Sequence, residues 1–137
     1  MIRGAGAGIA YFGLVFLLGM ILGTIRILLL EPWVGEVTAV LIELPVMLAG
    51  SWIACGRLIG RFGVPPRPGS RLVMGGLAFL LLVAAELWLS LFAVGGTVAE
   101  HFRSYLEADH LLGLLGQLVF ASFPLLSLRG ASAATVR

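Results

Sequence analysis

Three charged residues, Arg26, Glu43 and Glu86, lie inside long apolar stretches where no loop accounts for them. A charge near the centre of a bilayer is costly, so we expect these side chains to be paired. The planar guanidinium of Arg26 offers a fork of donors to one carboxylate. The other glutamate then lacks a full counter-charge, which favours its neutral form, so that it could hold or release a proton near neutral pH.

These polar residues are expected to lie at similar depths. At about 1.5 Å per residue from the predicted outer helix ends, Arg26 lies roughly 6 Å deep, Glu43 and Glu86 roughly 13 Å, and Gln117 roughly 10 Å. Each of the four predicted helices thereby contributes one polar side chain. The sequence predicts a buried network of Arg26, Glu43, Glu86 and Gln117, which would serve either as a structural ion-pair network or as a proton or ligand site.

The elements that carry these residues are membrane helices. Hydrophobic residues make up 60% of the 137 and charged residues only 12%, and the mean hydropathy is +1.08; such a composition excludes an ordinary soluble domain. Four stretches approach or exceed the roughly 20 apolar residues that a spanning helix needs, at 5–30, 34–59, 72–95 and 111–128. We predict an all-α, integral membrane four-helix bundle forming a single domain over 1–137, with a disordered tail at 130–137.

Small and polar residues recur on one side of each predicted helix at about 100° per residue. Small residues let membrane helices approach closely and polar residues avoid lipid, so these sides are predicted to face inward. The four sets are Gly8, Gly19, Gly23 and Arg26; Glu36, Glu43, Gly50 and Arg57; Gly75, Glu86 and Ala93; and His110, Gly113, Gln117, Ala121 and Pro124.

Two prolines interrupt the helical hydrogen bonding of the predicted bundle. Pro45 cannot donate to the carbonyl of Leu41, and Pro124 cannot donate to that of Phe120. Such freed carbonyls can line cavities, but they are also common and harmless in membrane helices.

The arginines predict the orientation, because positive charges close to helix ends are retained in the cytoplasm. Seven arginines fall on one side and only Arg103 lies in a loop on the other; the seven are Arg3, Arg57, Arg61, Arg67, Arg71, Arg129 and Arg137. We predict a multi-pass protein of the bacterial inner (plasma) membrane with both termini cytoplasmic. The third connection, 96–110, is then a short outer-side loop or an interfacial helix.

Several other functions have little support in the sequence. No basic face is available for nucleic acid, and the single Cys55 excludes an internal disulfide. His101 and His110, with nearby carboxylates, are candidate metal ligands, but their spacing matches no established motif. We therefore predict no metal and no cofactor, and the outer loop is interpreted as solvated.

The sequence Gly-Thr-Ile-Arg at 23–26, followed by Glu-Leu-Pro-Val-Met at 43–47, resembles a family of small four-helix inner-membrane proteins predicted from bacterial genomes. The similarity extends through the arginine-rich second connection to the third helix. It implies the topology and a bacterial origin. The family carries no assigned activity, so the resemblance implies no mechanism.

Two main hypotheses for function follow. The first is a non-enzymatic accessory or scaffold subunit of the bilayer, whose buried network sets helix packing or receives a partner helix. The second is a small proton-coupled permease or channel, oligomeric in the membrane, in which Glu43 and Glu86 exchange protons. A third is a membrane enzyme or metal-binding protein that uses His101 and His110, although no catalytic motif is present.

Overall fold

The chain folds into a bundle of long helices. The computed structural model describes the backbone of residues 1–134 and the side chains of residues 1–129, and within these the regular structure is entirely helical. In chain order the elements are α1 (Ile2–Ile25), a π-helical segment (Arg26–Leu30), α2 (Glu31–Val34), α3 (Glu36–Phe62), α4 (Pro68–Phe92), α5 (Val98–Ser104) and α6 (Ala108–Ala134). Four helical stretches are long and apolar enough to cross a membrane, which confirms the predicted helical bundle of membrane type.

The four long helices surround a narrow core. Helix α1 packs on α3 and α4, and α6 packs on the same two helices. Tyr11, Val15, Met74, Leu82 and Phe120 are among the buried core residues. Many large apolar side chains instead point outward, as a lipid-facing surface requires; examples are Ile9, Leu14, Leu80 and Trp88.

Glycines bring the helices of this core together. A Cβ at Gly8 of α1 would lie 2.8 Å from the carbonyl oxygen of Met74 in α4. One at Gly75 of α4 would collide with the carbonyl oxygen of Ala121 in α6. The predicted inward faces therefore meet at Gly8 and Gly75, whereas Gly23 has no neighbour within 4 Å of such a Cβ and borders open space instead.

The carbonyl that Pro124 frees has a specific partner. The Tyr11 hydroxyl donates a hydrogen bond of 2.9 Å to the carbonyl oxygen of Phe120, and Tyr11 is completely buried. The Tyr11 and Phe120 rings also meet edge to face, with centroids 5.3 Å apart. This contact links α1 to α6 across the bundle. It also gives the buried carbonyl of Phe120, which water does not reach, a hydrogen-bond donor.

The first turn differs from the prediction. The helical stretch beginning in α1 continues through α2 to Val34, and the chain reverses at Gly35, whose φ of 82° favours glycine. The predicted break at 31–33 is therefore wrong by a few residues. In a regular α-helix, Pro32 would clash with the carbonyl four residues earlier. The π-helical segment just before Pro32 widens the helical turn, so the helix continues past the proline.

Other helix ends also extend beyond the predicted spans. Helix α3 continues to Phe62, where Gly63 ends it in the left-handed conformation, and α4 begins at Pro68. Helix α6 includes residues 130–134, so this part of the predicted disordered tail is helical. The rest of that tail lies outside the described residues.

A short helix, α5, occupies the third connection, which is one of the two predicted alternatives. Thr97 and Glu100 form a capping box at the start of α5: the Thr97 hydroxyl accepts from the Glu100 amide, and the Glu100 carboxylate accepts from the Thr97 amide at 2.7 Å. The Thr97 amide and hydroxyl both donate to the Glu100 carboxylate, and these two hydrogen bonds lower the pKa of Glu100. We call the end of the bundle that carries Gly35 and α5 the α5 end, and the opposite end, with the connection between α3 and α4, the arginine end.

Candidate functional site

A cavity of about 1000 Å³ lies within the bundle, toward the α5 end. All four long helices, the π-helical segment and α5 contribute to its lining. The buried core residues Val15, Leu82 and Phe120 border it on the inner side, which we call its floor. The exposed Glu36, Glu100 and His110 border it at the α5 end, which we call its mouth.

The four residues of the predicted network, Arg26, Glu43, Glu86 and Gln117, all line this cavity. They do not form one network, however, because direct contacts divide them into two clusters. The arginine cluster consists of Arg26, Glu43 and Glu31. The Glu86 cluster consists of Glu86, Gln117, Tyr105 and His101.

In the arginine cluster one guanidinium bridges two carboxylates. Arg26 Nε lies 2.7 Å from Glu43 Oε2, and Nη1 donates to Glu31 Oε1 at 2.8 Å. The Nε contact is an ion pair without good hydrogen-bond direction. Side-chain exposures of 21% for Arg26, 16% for Glu43 and 22% for Glu31 show that these charges are only partly shielded from the cavity.

The π-helical segment explains why the sequence did not indicate Glu31 as a partner. In a regular α-helix, residues five apart point about 140° away from each other, given about 100° per residue. In the π-helical turn, the amide of Glu31 bonds to the carbonyl of Arg26 five residues earlier, which brings both side chains to the same face. The one signal for this arrangement was Pro32, which requires a local change in the helix.

In the Glu86 cluster the carboxylate is held by neutral donors. Gln117 Nε2 donates to Glu86 Oε1 at 2.5 Å, and the Tyr105 hydroxyl donates to Glu86 Oε2 at 3.2 Å. His101 Nε2 lies 3.3 Å from the same hydroxyl. Burial raises the pKa of Tyr105 to about 12, and the charge of Glu86 and its hydrogen bond add to this rise.

Glu86 is therefore the glutamate that Arg26 does not neutralise. Helix periodicity predicts that Glu86 and Gln117 both face the interior, and in the structure the two side chains are in direct contact. The contributions of Tyr105 and His101 were missed, because both follow the third long helix in a connection whose path no periodicity predicts. Their spacing of four residues on a short helical turn was the available signal.

Three buried polar atoms at the cavity have no hydrogen-bond partner among the described residues. One is Arg26 Nε, which is ion-paired with Glu43 instead. The other two are the hydroxyl oxygen of Ser51, a residue 1% exposed, and the amide oxygen Oε1 of Gln117. Buried polar atoms are rarely left without a partner. Because Ser51 and Gln117 belong to the cavity lining, a molecule inside the cavity is a candidate partner for these two atoms.

The two histidines that were candidate metal ligands, His101 and His110, belong to different side-chain clusters. His110 Nδ1 lies 3.1 Å from Asp109 Oδ2 and 3.7 Å from Glu107 Oε2, and these three residues could offer atoms within 4.8 Å of one another. His101 belongs to the Glu86 cluster instead. His110 and Glu107 are exposed, and exposed acidic groups of this kind are common without a metal, so the arrangement does not support a metal centre.

Acidic residues dominate the charge of the cavity. Six of the seven acidic residues in the chain line it, compared with one of the eight arginines that the structure describes. The six are Glu31, Glu36, Glu43, Glu86, Glu100 and Asp109. One arginine cannot neutralise six carboxylates, so the cavity attracts positive charge.

Comparison with known proteins finds no family model, no curated protein and no solved structure that matches this chain. The resemblance to predicted bacterial four-helix membrane proteins therefore stays a prediction. The chain's own geometry is a membrane-type helical bundle around a cavity that is lined by charged and apolar residues.

Proposed function

We propose that this protein is a small proton-coupled permease in which the cavity is the solute site. The cavity, about 1000 Å³ and lined by Arg26, Glu43, Glu86 and Gln117, is the observation that carries the proposal. A network needed only for helix packing would be expected to be closely packed and dry. Ligand sites, by contrast, are concave spaces of about 300–1,000 Å³ with a few polar groups among apolar ones.

The Glu86 cluster supports the proton step of this proposal. Hydrogen-bond distances connect His101 to Tyr105 and Tyr105 to Glu86, and His101 and Glu86 both line the cavity. A proton could pass from His101 to the Tyr105 oxygen while the Tyr105 hydroxyl proton passes to the Glu86 carboxylate. Gln117 is the other direct contact of Glu86, so no cation in contact with it opposes its protonation.

The arginine cluster has a different part in this proposal. Arg26 lies between Glu31 and Glu43 and provides a counter-charge to both carboxylates. Glu43 thus contacts a cation, whereas the direct contacts of Glu86 among the described residues are the neutral donors Gln117 and Tyr105. The same ion pair links the π-helical segment to α3, which is the role that the scaffold hypothesis assigns to it. That hypothesis requires that a stoichiometric partner be recovered on gentle detergent extraction.

The arginine distribution supports an orientation in which the α5 end faces outward and both termini face the cytoplasm. Arg57, Arg61 and Arg67 lie at the arginine end of the bundle, opposite the mouth of the cavity. In this orientation the solute enters from the outer side of the bacterial plasma membrane. Flux then requires a second state that opens the floor, formed by residues such as Phe120, to the cytoplasmic side.

Water access to the cavity is the first test. In a Cys55→Ala background, Gly113→Cys introduces a thiol into the lining at a position where a Cβ has nothing within 4 Å. We expect a membrane-impermeant methanethiosulfonate added outside intact cells to modify it. Gly13→Cys is the matched control. A Cβ at Gly13 is also unobstructed, but Gly13 lies on the exposed face of α1 and does not line the cavity. Absence of modification at both Gly113→Cys and Gly23→Cys would contradict the proposal.

Proton coupling is the second test. Proteoliposomes containing a pH-sensitive dye are given small solutes one at a time, and solute-induced proton movement is recorded. We expect Glu86→Gln and Glu43→Gln to abolish this movement while the helical content of the protein is retained. Glu107→Gln is the control, since Glu107 is the acidic residue that does not line the cavity. Unchanged movement in both variants would refute the permease.

A further inference from the structure

We infer that the cavity binds an organic cation with an apolar body, a protonated or quaternary amine for example. This inference deepens the proposed function and rests on it. The charge of the lining, its unpartnered acceptor atoms and its apolar floor each support one property of the ligand.

The positive charge of the ligand follows from the carboxylates. Six of them line the cavity, and the single arginine among the lining residues is already shared by Glu31 and Glu43. Glu86 receives hydrogen bonds from neutral donors only. An anion entering the cavity would meet this negative field without a free cation to receive it, whereas a cation would be concentrated there.

The unpartnered atoms give the second, independent indication. Ser51 is 1% exposed and its hydroxyl has no partner among the described residues, although it lines the cavity. Gln117 directs its amide nitrogen to Glu86 and leaves Oε1 without a donor. Carboxylate oxygens and Gln117 Oε1 only accept hydrogen bonds in these states, and a serine oxygen can also accept. Gln117 Oε1 therefore lacks a hydrogen-bond donor, and the Ser51 oxygen can accept from a donor as well.

The apolar part of the ligand follows from the rest of the lining. Phe16, Met20, Met47, Leu82 and Phe120 line the cavity beside the charged residues. Aromatic faces attract organic cations, and methionine adapts to ligands of varied shape. A hard metal cation would need six to eight oxygen ligands in a compact shell, and a cavity of about 1000 Å³ with these apolar residues does not provide one.

The binding test uses two ions of the same shape and opposite charge, tetraphenylphosphonium and tetraphenylborate. The unmodified protein is reconstituted in lipid nanodiscs, and binding above that to empty nanodiscs is measured by equilibrium dialysis. We expect saturable binding of the phosphonium and none of the borate. We expect Glu86→Gln to weaken phosphonium binding about tenfold, since it removes one unit charge from the site, and Glu107→Gln to leave it unchanged.

Thiol protection then locates the binding. Tetraphenylphosphonium should slow modification of Gly113→Cys, in the Cys55→Ala background, by a cationic methanethiosulfonate, and should leave a detergent-solubilised Gly13→Cys unaffected. A thiol that is modified but not protected, or is protected equally by tetraphenylborate, would overturn the cation inference while leaving the solute cavity intact. A thiol that is not modified at all, here and at Gly23→Cys, would instead refute the proposed function. Equal dialysis binding of both ions would also overturn the inference.

Discussion

The hydrogen bond from Tyr11 to the Phe120 carbonyl allows a quantitative prediction, because Tyr11→Phe removes a single oxygen atom. The hydroxyl is completely buried and lies 2.9 Å from an acceptor that Pro124 deprives of its helical donor. The edge-to-face contact of the two rings is preserved in the variant. The loss is therefore that of one buried hydrogen bond, with little change in packing.

Two general ranges bound the expected loss in the free energy of unfolding. A buried acceptor left without its donor costs about 1–3 kcal/mol, whereas hydrogen bonds between membrane helices average about 0.6 kcal/mol and reach about 1.7 kcal/mol. Because the Phe120 carbonyl has no alternative helical donor, we expect the upper part of the membrane range, about 1–2 kcal/mol. This corresponds to a roughly 5- to 30-fold decrease in the folded-to-unfolded ratio.

The measurement is the free energy of unfolding in mixed micelles, titrated with a denaturing detergent. Pro124→Ala is the matched background, since alanine restores an amide that can donate to Phe120. Tyr11→Phe should cost clearly less in that background than in the unmodified protein. Equal costs in the two backgrounds would show that the freed carbonyl is not what makes Tyr11 important, and the reasoning would be wrong.

Three further predictions concern the packing and the cavity. Gly75→Ala should lower the free energy of unfolding by about 1–3 kcal/mol, because the added Cβ collides with the backbone of α6. Gly76→Ala should not lower it, because a Cβ at Gly76 is unobstructed. Equal thermal stabilities of the two variants would contradict this prediction. With the other tyrosine replaced by phenylalanine, absorbance titration should show Tyr105 ionising at a pKa of about 12. Glu86→Gln should lower that pKa toward 10, and an unchanged value would exclude the carboxylate as a cause. The stability that the raised pKa provides is present below pH 10 and is lost as pH rises through about 12. Finally, phosphonium binding should weaken at acidic pH, because protonation of carboxylates removes the negative charge of the lining; affinity independent of pH would contradict the carboxylates as the binding groups.

The sequence determined much of the architecture on its own. Apolar runs of sufficient length predicted four membrane helices because a polypeptide in lipid must satisfy its backbone hydrogen bonds internally. Periodicity predicted that Gly8 and Gly75 would face other helices and that Glu86 and Gln117 would share an interior region. Both conclusions follow from local rules, a residue count and a rotation per residue, which do not depend on the distant parts of the chain.

The division of the charged residues into two clusters was decided only by tertiary structure. A π-helical turn ahead of Pro32 moved Glu31 to the side of Arg26, and the path of the third connection brought Tyr105 to Glu86. These contacts depend on how a local distortion and an irregular loop settle against neighbouring helices, which helical periodicity does not describe. The cavity is likewise a property of the assembled bundle. Residues from all four long helices, the π-helical segment and α5 line it, and no single element of the sequence indicates that their side chains leave this space open.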